Sequence, residues 1–221
     1  MTEDFDLSIV LDYVRSLRRH NRREWFVAHR AQYEEARLHF EAYVAAVIPV
    51  LARSEPLGGL TPKDCIFRLN RDLRFSKDKT PYKPYMSAYL APGGRKSRRL
   101  GTYLHIEAGD RSIIAGGLHD PEPHQLAAWR EAIDHDPRSF RKIANSPTFR
   151  RHFGAVRGER LKTAPKGYPK DHPDLDLLQL KQVLVWRELS DRRVASRDIL
   201  KVTIETWRAM RPFLAYLQGL A

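Results

Sequence analysis

The sequence predicts an α+β protein, with a four-stranded antiparallel sheet over residues 64–118 flanked by N-terminal and C-terminal helices. Three observations carry this. Four short runs between 64 and 118 alternate apolar and polar residues and are joined by connections too short for a crossover helix. Before them, over 7–54, apolar residues recur at helical spacing. After them, over 122–220, the helical spacing returns behind Pro and Asp start signals. No repeat, low-complexity tract or linker divides the chain, so a single domain over 1–221 is expected.

Taken in order, Leu7, Val10, Val14 and Leu17 mark a first amphipathic helix behind Asp6 or Ser8. Asn21, with Glu24 three residues on, resembles a capping arrangement for a long helix, along which Phe26, Tyr33, Phe40 and Val47 form a continuous stripe. Pro49 kinks or ends it. The run Ile66 to Phe75 then alternates Phe67, Leu69, Leu73 and Phe75 against Arg68, Asn70, Asp72 and Arg74, with Arg71 out of place. Further strands are expected over Tyr85–Ala91, Thr102–Glu107 and Ser112–Leu118, the last weakened by Gly116-Gly117. Helices should follow from Pro123, from Asp136-Pro137, over Leu175–Leu189 and over Ser196–Leu220.

If the apolar rows of the four strands face helices, the opposite sheet face gathers Arg68, Asn70, Asp72, Arg74, Tyr85, Ser87, Tyr89, Tyr103, His105 and Glu107. Such a face is costly to bury without partners, so it is either solvated or a binding surface.

The signature Arg68-x-x-Arg71-Asp72-x-Arg74-Phe75-x-x-Asp78-Lys79-x-x-Tyr82 resembles that of an uncharacterised bacterial family, the domain-of-unknown-function family numbered 2461. The resemblance runs on through Asn21-Arg22-Arg23-Glu24-Trp25-Phe26, Gly59-Leu60-Thr61-Pro62-Lys63-Asp64, Ala91-Pro92-Gly93-Gly94 and Ala164-Pro165-Lys166-Gly167-Tyr168. After Gly116-Gly117-Leu118 the chain has His119-Asp120, where the family tends to place an aromatic residue. The resemblance implies membership and brings no activity, cofactor or catalytic residue with it.

The formal net charge is +12, which favours anionic partners. Between Lys63 and Arg99 eleven Lys or Arg face three Asp, a concentration that even spacing would not produce. A second group, Arg15, Arg18, Arg19, Arg22 and Arg23, reads as a solvated helix end that complements the helix dipole. The one cysteine, Cys65, permits no intrachain disulfide and reads as a small core residue. The acidic N-terminus lacks a basic segment followed by an apolar run, and Tyr43–Ala52 is too short to cross a bilayer. A soluble cytoplasmic protein without a membrane partner is expected.

No dinucleotide, P-loop or α/β-hydrolase motif occurs. His119, Asp120 and His124 lack the spacing of a metal motif, so neither cofactor nor metal is expected. What remains is a candidate ligand-binding set: Arg68, Arg71, Asp72, Arg74, Lys77, Asp78, Lys79, Tyr82, Lys83, Tyr85, Tyr103, His105 and Glu107. The arginines supply forks suited to phosphate or carboxylate, and the tyrosines supply rings for stacking. Asp72 and Asp78, each flanked by cations, suit ion pairing better than base catalysis, whereas His105 with Glu107 has the make-up of a base and its orienter. Three classes stay open: a module binding an anionic phosphate-bearing ligand or nucleic acid, an enzyme on a phosphorylated or carboxylated small substrate, and a structural or protein-interaction domain.

Overall fold

The computed structural model describes residues 5–74 and 78–220. Its helices are α1 (Leu7–Arg19), α2 (Arg23–Ala28), α3 (Arg30–Leu51), α4 (Pro62–Cys65), α5 (Pro123–His135), α6 (Pro137–Ala144), α7 (Pro147–Phe153), α8 (Leu175–Leu178), α9 (Asp191–Val194) and α10 (Ile199–Gln218). Strands β1 (Met86–Leu90), β2 (Thr102–Ile106), β3 (Ser112–Leu118) and β4 (Val183–Leu189) form one antiparallel sheet in the order β1-β2-β3-β4. The α+β class and the four-stranded sheet are as expected. The membership of the sheet is not.

The run Ile66–Phe75 is not a strand of this sheet. Within its described part it meets the segment before and within β1 through two isolated bridges, Ile66 with Ala88 and Asn70 with Tyr82. Four positions separate Ile66 from Asn70, whereas six separate Tyr82 from Ala88, so the second segment carries two extra residues. A bulge of this kind breaks a ladder. Pro81 and Pro84, which have no N–H to donate, lie in that same segment. Three backbone bonds survive, from Phe67 N to Ser87 O, from Arg71 N to Pro81 O and from Lys83 N to Leu69 O, each 2.9 Å. Leu69 is buried as the alternation requires, but Leu73 is 39% exposed. Phe75 lies outside the described residues.

The fourth strand comes from the region expected to be the helix Leu175–Leu189. Only Leu175–Leu178 is helical there, and Val183–Leu189 is β4. Its Val183 and Val185 are fully buried, with Leu184 and Trp186 alternating between them. Gly117 on β3 has φ +121°, and a Cβ there would stand 2.1 Å from the Val183 carbonyl oxygen. Gly117, which weakens the strand's own propensity, is thus what lets β3 accept this neighbour closely.

The chain divides into two compact units, one of residues up to 114 with 188–205, the other of 115–187 with residues from 206 onward. In the first, α1 packs on α3 and buries Val10, Val14 and Leu17 with Phe40, Val44 and Val47. Each such side chain stabilises the fold by about 1.5–3 kcal/mol. The buried Tyr43 hydroxyl hydrogen-bonds Thr203 Oγ1 at 2.6 Å, which removes the penalty of enclosing both groups. The one long helix expected from Asn21 is two, because the chain leaves helical geometry at His29. There the imidazole bonds the Trp25 carbonyl oxygen through Nδ1 (2.8 Å) and stacks on the Trp25 indole at 4.1 Å. Met86, Ala88 and Leu90 of β1 and Leu104 and Ile106 of β2 are buried, so the polar side chains of both strands share the other face.

In the second unit Trp129 sits edge-on to Phe140 at 4.8 Å, and Phe140 and Phe149 both meet Phe213 of α10. The enclosed Trp129 indole N–H donates to the Leu177 carbonyl (3.1 Å).

Candidate functional site

The polar face of β1 and β2 is built by register. Tyr89 lies opposite Tyr103, and Ser87 opposite His105. Along β2 the side chains at 103, 105 and 107 follow one another on that face. They form a hydrogen-bonded row, with Tyr103 Oη 3.0 Å from His105 Nδ1 and His105 Nε2 2.6 Å from Glu107 Oε2. A carboxylate only accepts, so Nε2 carries a proton, and in the neutral imidazole Nδ1 accepts from the Tyr103 hydroxyl. Ser87 in turn hydrogen-bonds the Tyr103 oxygen.

The row is enclosed. Tyr85 lies against His105 with ring centroids 4.2 Å apart, and Phe67 meets Tyr103 edge-on at 6.3 Å. Burial pushes the Tyr103 phenol up to about 12, against the pull of Ser87, so it is a hydroxyl and not a phenolate at neutral pH. Burial also pushes the Glu107 carboxyl up, but His105 and Arg18 outweigh that, and its pKa lies below the ordinary value. Arg18 of α1 pairs with Glu107 Oε1, and Arg111 Nε lies 3.4 Å from the same oxygen. Ser112 Oγ accepts from the Glu107 backbone N–H at 3.0 Å and donates to the Glu107 carbonyl at 3.1 Å, fixing the end of the row.

Beside the row lies a group of cations. Lys83 immediately precedes the bulge and stands 5.8 Å over the Phe67 ring. Burial, with Arg68 and Arg71 nearby, holds its pKa below that of an ordinary lysine. No carboxylate pairs with Lys83 among the described residues. Arg71 donates to the carbonyls of Thr80 (3.2 Å) and Tyr82 (3.5 Å) and pairs with Asp78 at 2.9 Å. Arg68 is largely exposed, and its nearest carboxylate, Asp72, is 4.0 Å away. Tyr85 links the two groups, since its burial-raised pKa is pulled down by Arg71 and pushed up by Glu107.

Of the residues singled out in the sequence, Arg68, Arg71, Lys83, Tyr85, Tyr103, His105 and Glu107 come together here. Asp72, Arg74 and Lys79 belong to the exposed loop beyond. Asp72 accepts from Arg74 N, Nε and Nη2, and this pairing brings its pKa down to about 2. Lys79 Nζ donates to the Leu73 carbonyl, and Asp78 accepts from Thr80 N and Oγ1. Lys77 lies outside the described residues. Tyr82 is buried and stacked on Phe26 at 4.3 Å, and Asn21 clamps its backbone, donating Nδ2 to Tyr82 O (2.8 Å) and accepting from Tyr82 N (3.1 Å). Asn21 is therefore no helix cap; Arg22 holds that position.

Sequence reasoning missed Arg18, Ser87's bond to Tyr103, and Arg111. Arg18 was grouped with solvated helix-end cations, yet its partner lies 89 residues away, and Arg15 bonds Asp191 at 3.0 Å as well as Asp12. Only its place on the α1 face that also carries Val14 hints at a role. Cys65 is buried, which pushes its thiol up to about 11. Among the described residues no three His, Cys, Asp or Glu side chains are grouped to hold a metal ion, and no helix is long and apolar enough to cross a membrane.

The family described as "Conserved hypothetical protein (DUF2461)" matches residues 9–216. The chain belongs to this DUF2461 family. Comparison with curated proteins and with solved structures gave no match. The match spans both the cation group and the Tyr103–His105–Glu107 row, so the site lies within the family's shared extent.

Proposed function

We propose that the face formed by Arg68, Arg71, Lys83, Tyr85 and Tyr103 binds a phosphate-bearing small ligand. The observation that carries this reading is that half-buried Lys83, beside Arg68 and Arg71, has no carboxylate partner among the described residues. Neighbouring like charges destabilise a half-buried ammonium, and an anion among them relieves that cost. Arg71, held by two carbonyls and by Asp78, offers a preset guanidinium, and the Tyr85 and Tyr103 rings wall one side. Titration calorimetry with inorganic phosphate and pyrophosphate tests it. Saturable binding should weaken at least tenfold in Lys83→Met and in Arg68→Ser, and binding that both variants retain unchanged contradicts the reading.

A second reading, an enzyme acting on such a ligand, is favoured by the Tyr103–His105–Glu107 row. Both imidazole nitrogens are engaged, so the group that would exchange a proton with a ligand is the Tyr103 hydroxyl, with His105 behind it and Glu107 and Arg18 setting the charge. Tyr103→Phe should then leave phosphate binding within about twofold and abolish any turnover of a phosphorylated substrate.

A further inference from the structure

The second unit holds a cleft of about 490 Å³ lined by Val156, Arg157, Glu159, Arg160, Leu184 and Trp186, together with Gly158 and Gln182. Its walls are the segment 156–160 and the chain from Leu180 into β4, joined by bridges from Arg157 to Leu184 and from Arg160 to Leu180. Arg157 N donates to Leu184 O (2.7 Å) and Leu184 N to Arg157 O (2.9 Å). Gly158 permits the close approach: a Cβ there would lie 2.1 Å from the Gln182 carbonyl oxygen.

Two features of this cleft point to the same ligand chemistry. The Arg157 guanidinium lies 4.4 Å over the Trp186 ring, a planar pair of the kind on which nucleobases stack. The stretch of chain that carries the 156–160 wall is basic: from Arg138 to Lys170 there are ten Lys or Arg and one acidic residue, Glu159, with Arg138 paired to Asp136 and Arg141 to Asp174. Arg150, Arg151, Lys162, Lys166 and Lys170 of that stretch are exposed. Arg160 uses one guanidinium N–H on the Asp176 carbonyl (2.7 Å) and has five in all. This stretch is more one-sided than the basic region around residues 63–99, and the first unit's site does not draw on it.

We propose that the cleft of the second unit binds nucleotides, stacking a base on the Arg157–Trp186 pair and seating the phosphate on Arg160. The nucleotide is supplied either as a free mononucleotide or as an unpaired strand, for which the exposed cations that flank Arg157 and Arg160 in the sequence would neutralise successive phosphates. An acidic protein segment would satisfy the charge but not the ring.

The test uses the full chain and a fluorescein-labelled thymidine oligomer read by anisotropy across a salt series. Arg160→Ser should raise Kd at least tenfold and make its salt dependence shallower, and Trp186→Leu should raise Kd at least fivefold at unchanged salt slope, both with near-native circular dichroism. Trp186→Phe, which keeps a ring, should restore most of the affinity. Competition by thymidine monophosphate assigns the cleft to mononucleotides, and competition by unlabelled single strand alone assigns it to strands. The proposal is overturned if both variants bind as the parent does, if duplex or polyglutamate of equal charge competes as well as the single strand, or if Lys83→Met in the first unit abolishes the binding instead.

Discussion

The imidazole of His105 and the carboxylate of Glu107, two residues apart at the end of β2, stand 2.6 Å from each other with the carboxylate between His105 and Arg18. This contact turns a row of polar side chains on a sheet face into a single network with a defined end at the Tyr103 hydroxyl.

Replacing Glu107 by Gln removes the charge that Arg18, Arg111 and His105 share. A cost of about 1–3 kcal/mol is expected, below that of breaking a fully buried pair because Arg18 keeps some exposure. The pH dependence has a definite sign. The folded-state pKa of Glu107 lies below its ordinary 4.5, so its stabilisation is present above that value and is lost as pH falls through the folded pKa. Chemical denaturation at pH 7 and pH 3.5 should show the parent and Glu107→Gln drawing closer together at the lower pH.

Asn21→Ala should destabilise by about 1–3 kcal/mol, since it strands the N–H of Tyr82 in partly buried surroundings and leaves its C=O only the long bond from Arg71. Hydrogen exchange provides the local check: the Tyr82 amide should lose most of its protection, whereas amides of α1 change only as far as global stability does.

Much of the fold could be read from the chain, and what could not has identifiable causes. The apolar spacing of Val10, Val14 and Leu17 and the alternation of Met86, Ala88 and Leu90 reflect one-sided burial, which leaves a period. In β4 Leu184 and Trp186 fill the alternate positions with apolar groups, and the period vanishes into a run that reads equally as helix. In the stretch after Ile66 the alternation was real, but the ladder is decided by Pro81, Pro84 and a bulge in the opposing segment. At the site, Tyr103, His105 and Glu107 were legible because they alternate along β2 and the residue that follows it. The partnership of Arg18 with Glu107 was not, because local sequence carries no trace of a contact between segments so far apart.

Gly117→Ala should cost about 2–4 kcal/mol, because the new methyl would meet the Val183 carbonyl at a position whose φ is also unfavourable for alanine. Thermal melts measure this directly. Gly154→Ala is the control, since its φ is likewise positive but nothing lies within 4 Å of the added Cβ, so it should cost about 1 kcal/mol.

The central claim is that Lys83 sits in an anion site, and the pKa of its own amine tests that most directly. The folded-state pKa is held below the lysine value of 10.5 by burial, Arg68 and Arg71. Between the two pKa values the unfolded chain binds more protons, so this group makes the ligand-free protein gain stability as pH rises through that window. A bound phosphate reverses the balance. Lysine ε-carbon NMR titration, with Lys83→Met to assign the resonance, should give a Lys83 pKa below 10.5 that climbs on adding pyrophosphate while exposed lysines stay in place. A Lys83 pKa at or above 10.5 that pyrophosphate leaves unmoved would contradict the account.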